Sequence, residues 1–349
     1  MPVPHRFVIG SLILLTTIGM DRASVFAQSE PAMIVQCTES PQSIDVTVHG
    51  KPVLTYNKAF QEPPEGMDPI YRRSGYIHPL YTPSGRMVTG DFAPDHAHQH
   101  ALFGAFVNTT FQGKRVDFWN QHKRTGNVSH HKVIEVHSGN DVGGFTVELL
   151  HEAFTTADPP TPVLKEQWKV QVHATTSPGF VIDIQSTITC IVESPLTINP
   201  YHYGGMAFRG NNQWVTAESE KAMNAYLKAT EAGEKRTAPD LDVARHQFLT
   251  SKGERRFEGN GSHVKWVDLS GRVDDKLCGA AMLSHRENFR FPQAVRLHPS
   301  KPYFCFAPMV DGEFTLEPNE TFASHYRYIA HDDAPDTAAI EQAWLEFTK

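Results

Sequence analysis

The sequence predicts an all-β protein, a large antiparallel two-sheet β-sandwich with few short helices. Three observations carry this reading. Runs of alternating β-branched and aromatic residues recur from one end of the chain to the other. No internal repeat, low-complexity tract or Pro/Ser linker divides it. The chain has 349 residues, far more than an immunoglobulin-sized sandwich of about 100 needs.

The elements follow in order. His5 and Arg6 give a short basic start, Phe7 to Met20 is an apolar run, and Val25-Phe26-Ala27 supplies small residues in an A-x-A-like pattern. That order predicts a secretory signal peptide over residues 1–27, cleaved after Ala27, and a periplasmic or extracellular location. The run is shorter than the roughly 20 apolar residues of a membrane span, and no later segment resembles one. Residues 28–349 are expected to form a single β-sandwich domain with a polar insertion near 218–242. Expected strands include Ile44 to Val48, Phe145 to Leu150, Trp168 to His173, Phe180 to Val192, His263 to Leu269, Gly279 to Ser284, Tyr303 to Pro308 and Thr321 to Ile329. One helix is expected over Pro335 to Thr348, with Asp336 as its cap and Ala339, Ile340, Ala343, Trp344 and Phe347 on one face. A short helix is the reading of Met223 to Gly233.

Composition narrows the function. A formal charge of −7 disfavours nucleic acid, whose binders carry a basic stripe. Nineteen His and ten Tyr suit a site for a small polar ligand. The four cysteines, Cys37, Cys190, Cys278 and Cys305, allow three disulfide pairings, and the sequence does not choose among them. Dinucleotide-binding, P-loop, serine-hydrolase and zincin signatures are absent.

The densest chemistry is Asp95-His96-Ala97-His98-Gln99-His100. In a strand, alternate side chains share a face, so the three imidazoles are expected to converge. They suit acid–base work near neutral pH or, as the alternative, a divalent metal on His96 and His98. Arg73, His78 and Tyr81 mark a second segment, suited to sugar faces and carboxylates. The third is Tyr201 to Arg209, where His202, Tyr203 and Arg209 flank Gly204-Gly205. Glu166, before Trp168, is the candidate carboxylate base. Trp119 in Asp117-Phe118-Trp119-Asn120 and His285 in a polar loop complete the set.

Taken together, residues 76–85 (YIHPLYTPSG), 95–100 (DHAHQH), 117–120 (DFWN), 201–209 (YHYGGMAFR) and 266–271 (WVDLSG) resemble the PmoA-like family of secreted bacterial proteins. Ala97 stands where that family usually has proline. The family's name points to a methane oxygenase subunit, an integral membrane protein, which this chain's hydropathy does not fit. The resemblance implies a galactose-mutarotase-like supersandwich, with His98 or His202 as general acid and Glu166 as base, and with a small sugar or glycan as ligand. Three functions compete on the sequence: a carbohydrate epimerase, hydrolase or lyase working by His/carboxylate chemistry, a non-catalytic glycan-binding module, and a His-ligated metalloprotein. The first requires no cofactor.

Overall fold

The structure is a computed structural model that describes residues 1–4 and 33–349. The expected signal peptide therefore lies largely outside the described residues. Residues Met33–Lys349 form one unit. It contains two eight-stranded antiparallel sheets and a small four-stranded one.

The first sheet runs, edge to edge, Val35–Glu39, Ser43–Val48, Lys51–Asn57, Tyr76–Leu80, Leu102–Ala105, Gly205–Arg209, Tyr303–Phe306 and Val295–Leu297. The second runs His246–Thr250, Trp266–Val273, Lys276–Ser284, Thr321–Asp332, Phe180–Cys190, Thr161–His173, Val142–Ala153 and Gly126–His137. Phe314–Leu316, Leu196–Ile198, Thr109–Phe111 and Lys114–Val116 make the third.

Period-two patterning decides which side chains meet. In Phe180–Cys190, Phe180, Ile182, Ile184, Ser186, Ile188 and Cys190 are all buried, and in the neighbouring strand Leu164, Glu166, Trp168, Val170 and Val172 are. They share a core with Phe208 and Phe304 of the first sheet. The C-terminal helix, Thr337–Phe347, starts where Asp336 accepts from the backbone N–H of Ala338 and Ala339, a side-chain cap. Its Ile340 and Ala343 pack on Val181, Trp266, Leu283 and Ile329, covering part of the second sheet's other face.

The expected strands and terminal helix are present, with shifted ends. The polar stretch 218–242 is more helical than its sequence suggested. It forms Ala217–Glu231, opened by a reciprocal Thr216–Ser219 capping box, and begins the short helix Leu241–Ala244. All four cysteines are free thiols, so no disulfide staples the sandwich. Among the described residues, no helix is long and apolar enough to cross a membrane.

Candidate functional site

The histidine-dense segment is not a strand. It folds as two successive turns, closed by His96 N–H to Ala93 O at 3.0 Å and Gln99 N–H to His96 O at 2.9 Å. Its residues therefore follow turn geometry rather than strand alternation. Ala97 and Gln99 are buried. His96 and His98 stand together, ring centroids 5.6 Å apart. His100 leaves them, which corrects the expected three-way convergence. It is 0% exposed, with Nδ1 2.7 Å from Asp91 Oδ1 and Nε2 3.0 Å from Gln121 Oε1. Asp91 also accepts from the Tyr76 hydroxyl at 2.6 Å.

Asp95 clamps the loop to the sheet. Arg209, fully buried at the end of its strand, donates to the two Asp95 oxygens at 3.1 and 3.3 Å and to Gln99 Oε1 at 2.9 Å. His96 Nδ1 lies 2.8 Å from Asp95, and Lys301 Nζ 3.6 Å. Burial raises the Asp95 carboxyl, but the His96 hydrogen bond and the Arg209 and Lys301 charges more than reverse this, holding it well below the usual carboxylate range.

On the outer side of this loop lies a cavity of about 370 Å³, within the range of small-molecule sites. Five imidazoles line it: His96, His98, His122, His202 and His298. The rings run in a chain, His298 to His96 at 5.1 Å, His96 to His98 at 5.6 Å, and His98 to His122 at 5.4 Å. Tyr201, Tyr203 and Tyr303 form the aromatic wall, with Gln99, Asn120, Lys123 and Arg296 as the remaining lining. His202 is exposed at the rim, 4.6 Å from the Tyr201 ring and 4.9 Å from Tyr203. Gly204 and Gly205 carry φ of +134° and +84°, letting the chain turn sharply from this aromatic run into its strand. A Cβ on Gly205 would lie 2.5 Å from the Phe306 carbonyl.

Burial, then His96 and His122, push His98 down to about 3. Burial, then His96 and Arg296, push His298 down to about 2. His202 is lowered by burial and Arg296. At neutral pH these rings are uncharged, and the burial and positive neighbours that keep them so oppose protonation until negative charge in the cavity offsets them.

Behind the aromatic wall, Trp119 is 0% exposed and packs against Phe103, Tyr203 and Tyr303 at 4.4, 5.6 and 5.9 Å. It supports the cavity rather than lining it. Asp117 ties this corner: its oxygens accept from the Trp119 and Asn120 backbone, Asn120 Nδ2 and Lys123 Nζ. Asn120 in turn hydrogen-bonds the Tyr203 hydroxyl at 2.9 Å.

Five expected residues fall elsewhere. Glu166 lies between the sheets, 1% exposed. Period two places it on the same inward face as Trp168, and its oxygens are taken by Trp168 Nε1 at 2.6 Å, Ser186 Oγ at 2.5 Å and His151 Nε2 at 2.7 Å. It does not line the histidine cavity. Arg73 is fully buried, its guanidinium 5.2 Å over the Phe103 ring. His78 bonds Thr89 Oγ1 at 3.0 Å. Tyr81 pairs with Met87 in an isolated bridge. His285 sits under the C-terminal helix, 5.0 Å from Phe347, in a separate groove with Asn288 and His325.

His122, His298 and Arg296 were not anticipated. His122 sits in a single 3-10 turn, Gln121–Lys123; Arg296 is the middle residue of the short edge strand Val295–Leu297, and His298 follows its end. No spacing in the sequence links them to Asp95–His100. Among the described residues, no three His, Cys, Asp or Glu side chains converge tightly enough to hold a metal ion. His96 and His98 are the adjacent pair that a metal reading would use.

Comparison with known proteins gives a family. The model of a family of unknown function, DUF6807, matches residues 43–345, and the chain belongs to that family. The comparisons do not show the PmoA-like family that the motifs suggested. No curated protein matches. Among solved structures, a heparan sulfate lyase from Pedobacter heparinus is similar at 11% identity and a TM-score of 0.36, covering 88% of this chain and 38% of that one. The chain thus spans well under half of that lyase's length. A galactose mutarotase related enzyme from Lactobacillus acidophilus is 10% identical, with a TM-score of 0.35, covering 85% and 97% of the two chains. An aldose epimerase homologue from C. elegans is 9% identical, with a TM-score of 0.33, covering 86% and 100%.

Proposed function

We propose that this member of a family of unknown function binds a sugar in the His/Tyr cavity and performs proton-transfer chemistry on it, as an epimerase, hydrolase or lyase. One observation carries the reading: five imidazoles and three tyrosines line a single cavity. Tyrosine rings stack on the apolar face of a sugar, and Gln99, Asn120 and the imidazoles match its hydroxyls. A neutral imidazole accepts a proton and, once charged, returns it. His98, the more enclosed ring, is assigned the base. His202, at the rim and open to solvent, is assigned the acid; being uncharged at neutral pH, it first takes up a proton from solvent, so its step quickens as the pH falls.

This replaces the His/carboxylate pair with a pair of imidazoles, because Glu166 is committed to Trp168, Ser186 and His151. The test is NMR of a sugar panel incubated with the protein in D₂O, comparing wild type with His98→Ala and His202→Ala. Deuterium incorporation or conversion that falls at least 100-fold in either variant supports the assignment. Sugar binding without turnover, unchanged in both variants, means a non-catalytic glycan-binding module. Stoichiometric metal in protein purified without an affinity tag, lost in His96→Ala and His98→Ala, means a metalloprotein.

A further inference from the structure

Within that sugar-binding reading, on which this inference rests, we infer that the ligand carries an anionic substituent, recognised by Arg296. The cavity contrasts with the rest of the molecule. The chain has 39 Asp and Glu against 32 Lys and Arg, yet the cavity is lined by two cations, Lys123 and Arg296, five imidazoles and no carboxylate. A site built for a neutral sugar commonly needs acceptors for its hydroxyl protons, and ionised carboxylates are the strongest available. Here only amide, phenolic and imidazole groups remain.

The nearest carboxylates are turned away. Asp95 is held by Arg209, His96 and Lys301, and Lys301 is itself bonded to Glu220 at 2.7 Å. Asp117 is 4% exposed and fully engaged, with Lys123 among its partners at 2.7 Å. Arg296 differs. It is half-buried beside His298, its only side-chain hydrogen bond among the described residues is a 3.3 Å contact to the neutral Asn260, and it makes no ion pair there. A guanidinium fork without a carboxylate partner, in a low-dielectric cavity wall, matches a carboxylate or a sulfate or phosphate ester. An anion bound there also opposes the burial and the Arg296 charge that keep His298 and His202 uncharged, which restores their capacity to hold a proton during turnover.

Titration calorimetry at pH 7 and low salt tests this with four ligands: glucuronate, galacturonate, glucose 6-sulfate and glucose. Each is measured against wild type, Arg296→Gln, Arg296→Lys and His98→Ala. The expected result is that at least one anionic sugar binds tenfold or more tighter than glucose. Arg296→Gln brings that ligand to within threefold of glucose, and Arg296→Lys recovers part of the difference. Uronates preferred over the sulfate ester identify a carboxylate, and the reverse identifies an ester. Glucose binding as tightly as every anionic sugar, with affinity lost in His98→Ala, overturns the anion inference and leaves the sugar site standing. Affinities unchanged in His98→Ala, or no binding by any of the four, overturn both.

Discussion

Removing the Asp95 carboxylate leaves the Arg209 guanidinium without a counter-charge inside the protein. Arg209 is 0% exposed, and the Asp95 side chain 19%. Breaking a fully buried ion pair from one side costs about 3–5 kcal/mol. The partial exposure of Asp95, and the Gln99 oxygen that remains 2.9 Å from Nη1, place Asp95→Ala near the lower end, at about 3 kcal/mol. Because Arg209→Met removes the charge that needs the carboxylate, the double variant is expected to lose less than the sum of the singles, a coupling of about 2 kcal/mol. Equilibrium urea denaturation of the four proteins measures both quantities. The slope should stay constant, since the same surface is exposed on unfolding. A single-variant loss below 1 kcal/mol, or a coupling near zero, refutes the clamp as the element that holds the loop.

Three further outcomes follow from the structure. Trp119→Ala should destabilise by about 3–5 kcal/mol and weaken ligand binding, because Tyr203 and Tyr303 lose the ring they rest on; calorimetric melting checks the first. Gly271→Ala should destabilise by about 1–3 kcal/mol, since its Cβ would lie 2.5 Å from the Trp214 indole; an unchanged melting temperature counts against this packing. His246 is 2% exposed, and burial followed by the Arg256 charge holds its pKa well below the ordinary 6.5. The unfolded chain therefore takes up a proton below pH 6.5 that the native state refuses, so stability falls with pH. Between pH 7 and 5 wild type should lose about 2 kcal/mol more than His246→Gln, measured by urea titration at both values.

Strand patterning made most of the fold legible. Ile44, Val46 and Val48 are buried on one face as their spacing implies, and Asp336 caps its helix as expected. The site was legible only in part. Asp95–His100 stood out by density, but turns and strands of six residues are not separated by composition, so the fate of His100 was not. Glu166 and Trp168 show the same limit in reverse: period two puts them on one face, yet which face is inward for a charged residue depends on His151 and Ser186, distant in sequence. Arg296 and His298 enter the cavity through sheet closure, when the edge strand Val295–Leu297 pairs with Tyr303–Phe306. No local pattern encodes that meeting.

The two-turn loop separates two kinds of position within six residues. Asp95, Gln99 and His100 are bonded to the scaffold through Arg209, Asp91 and Gln121. His96 and His98 face the cavity. The separation decouples tolerance from novelty: substitutions at 98, whose ring makes no hydrogen bond to the scaffold among the described residues, alter what the cavity accepts, while the anchors, His96 on Asp95 among them, keep the chain folded. A library confined to 98 and 122 should therefore stay well expressed while sampling new ligands, whereas one that includes 95 or 209 should lose most of its members to misfolding.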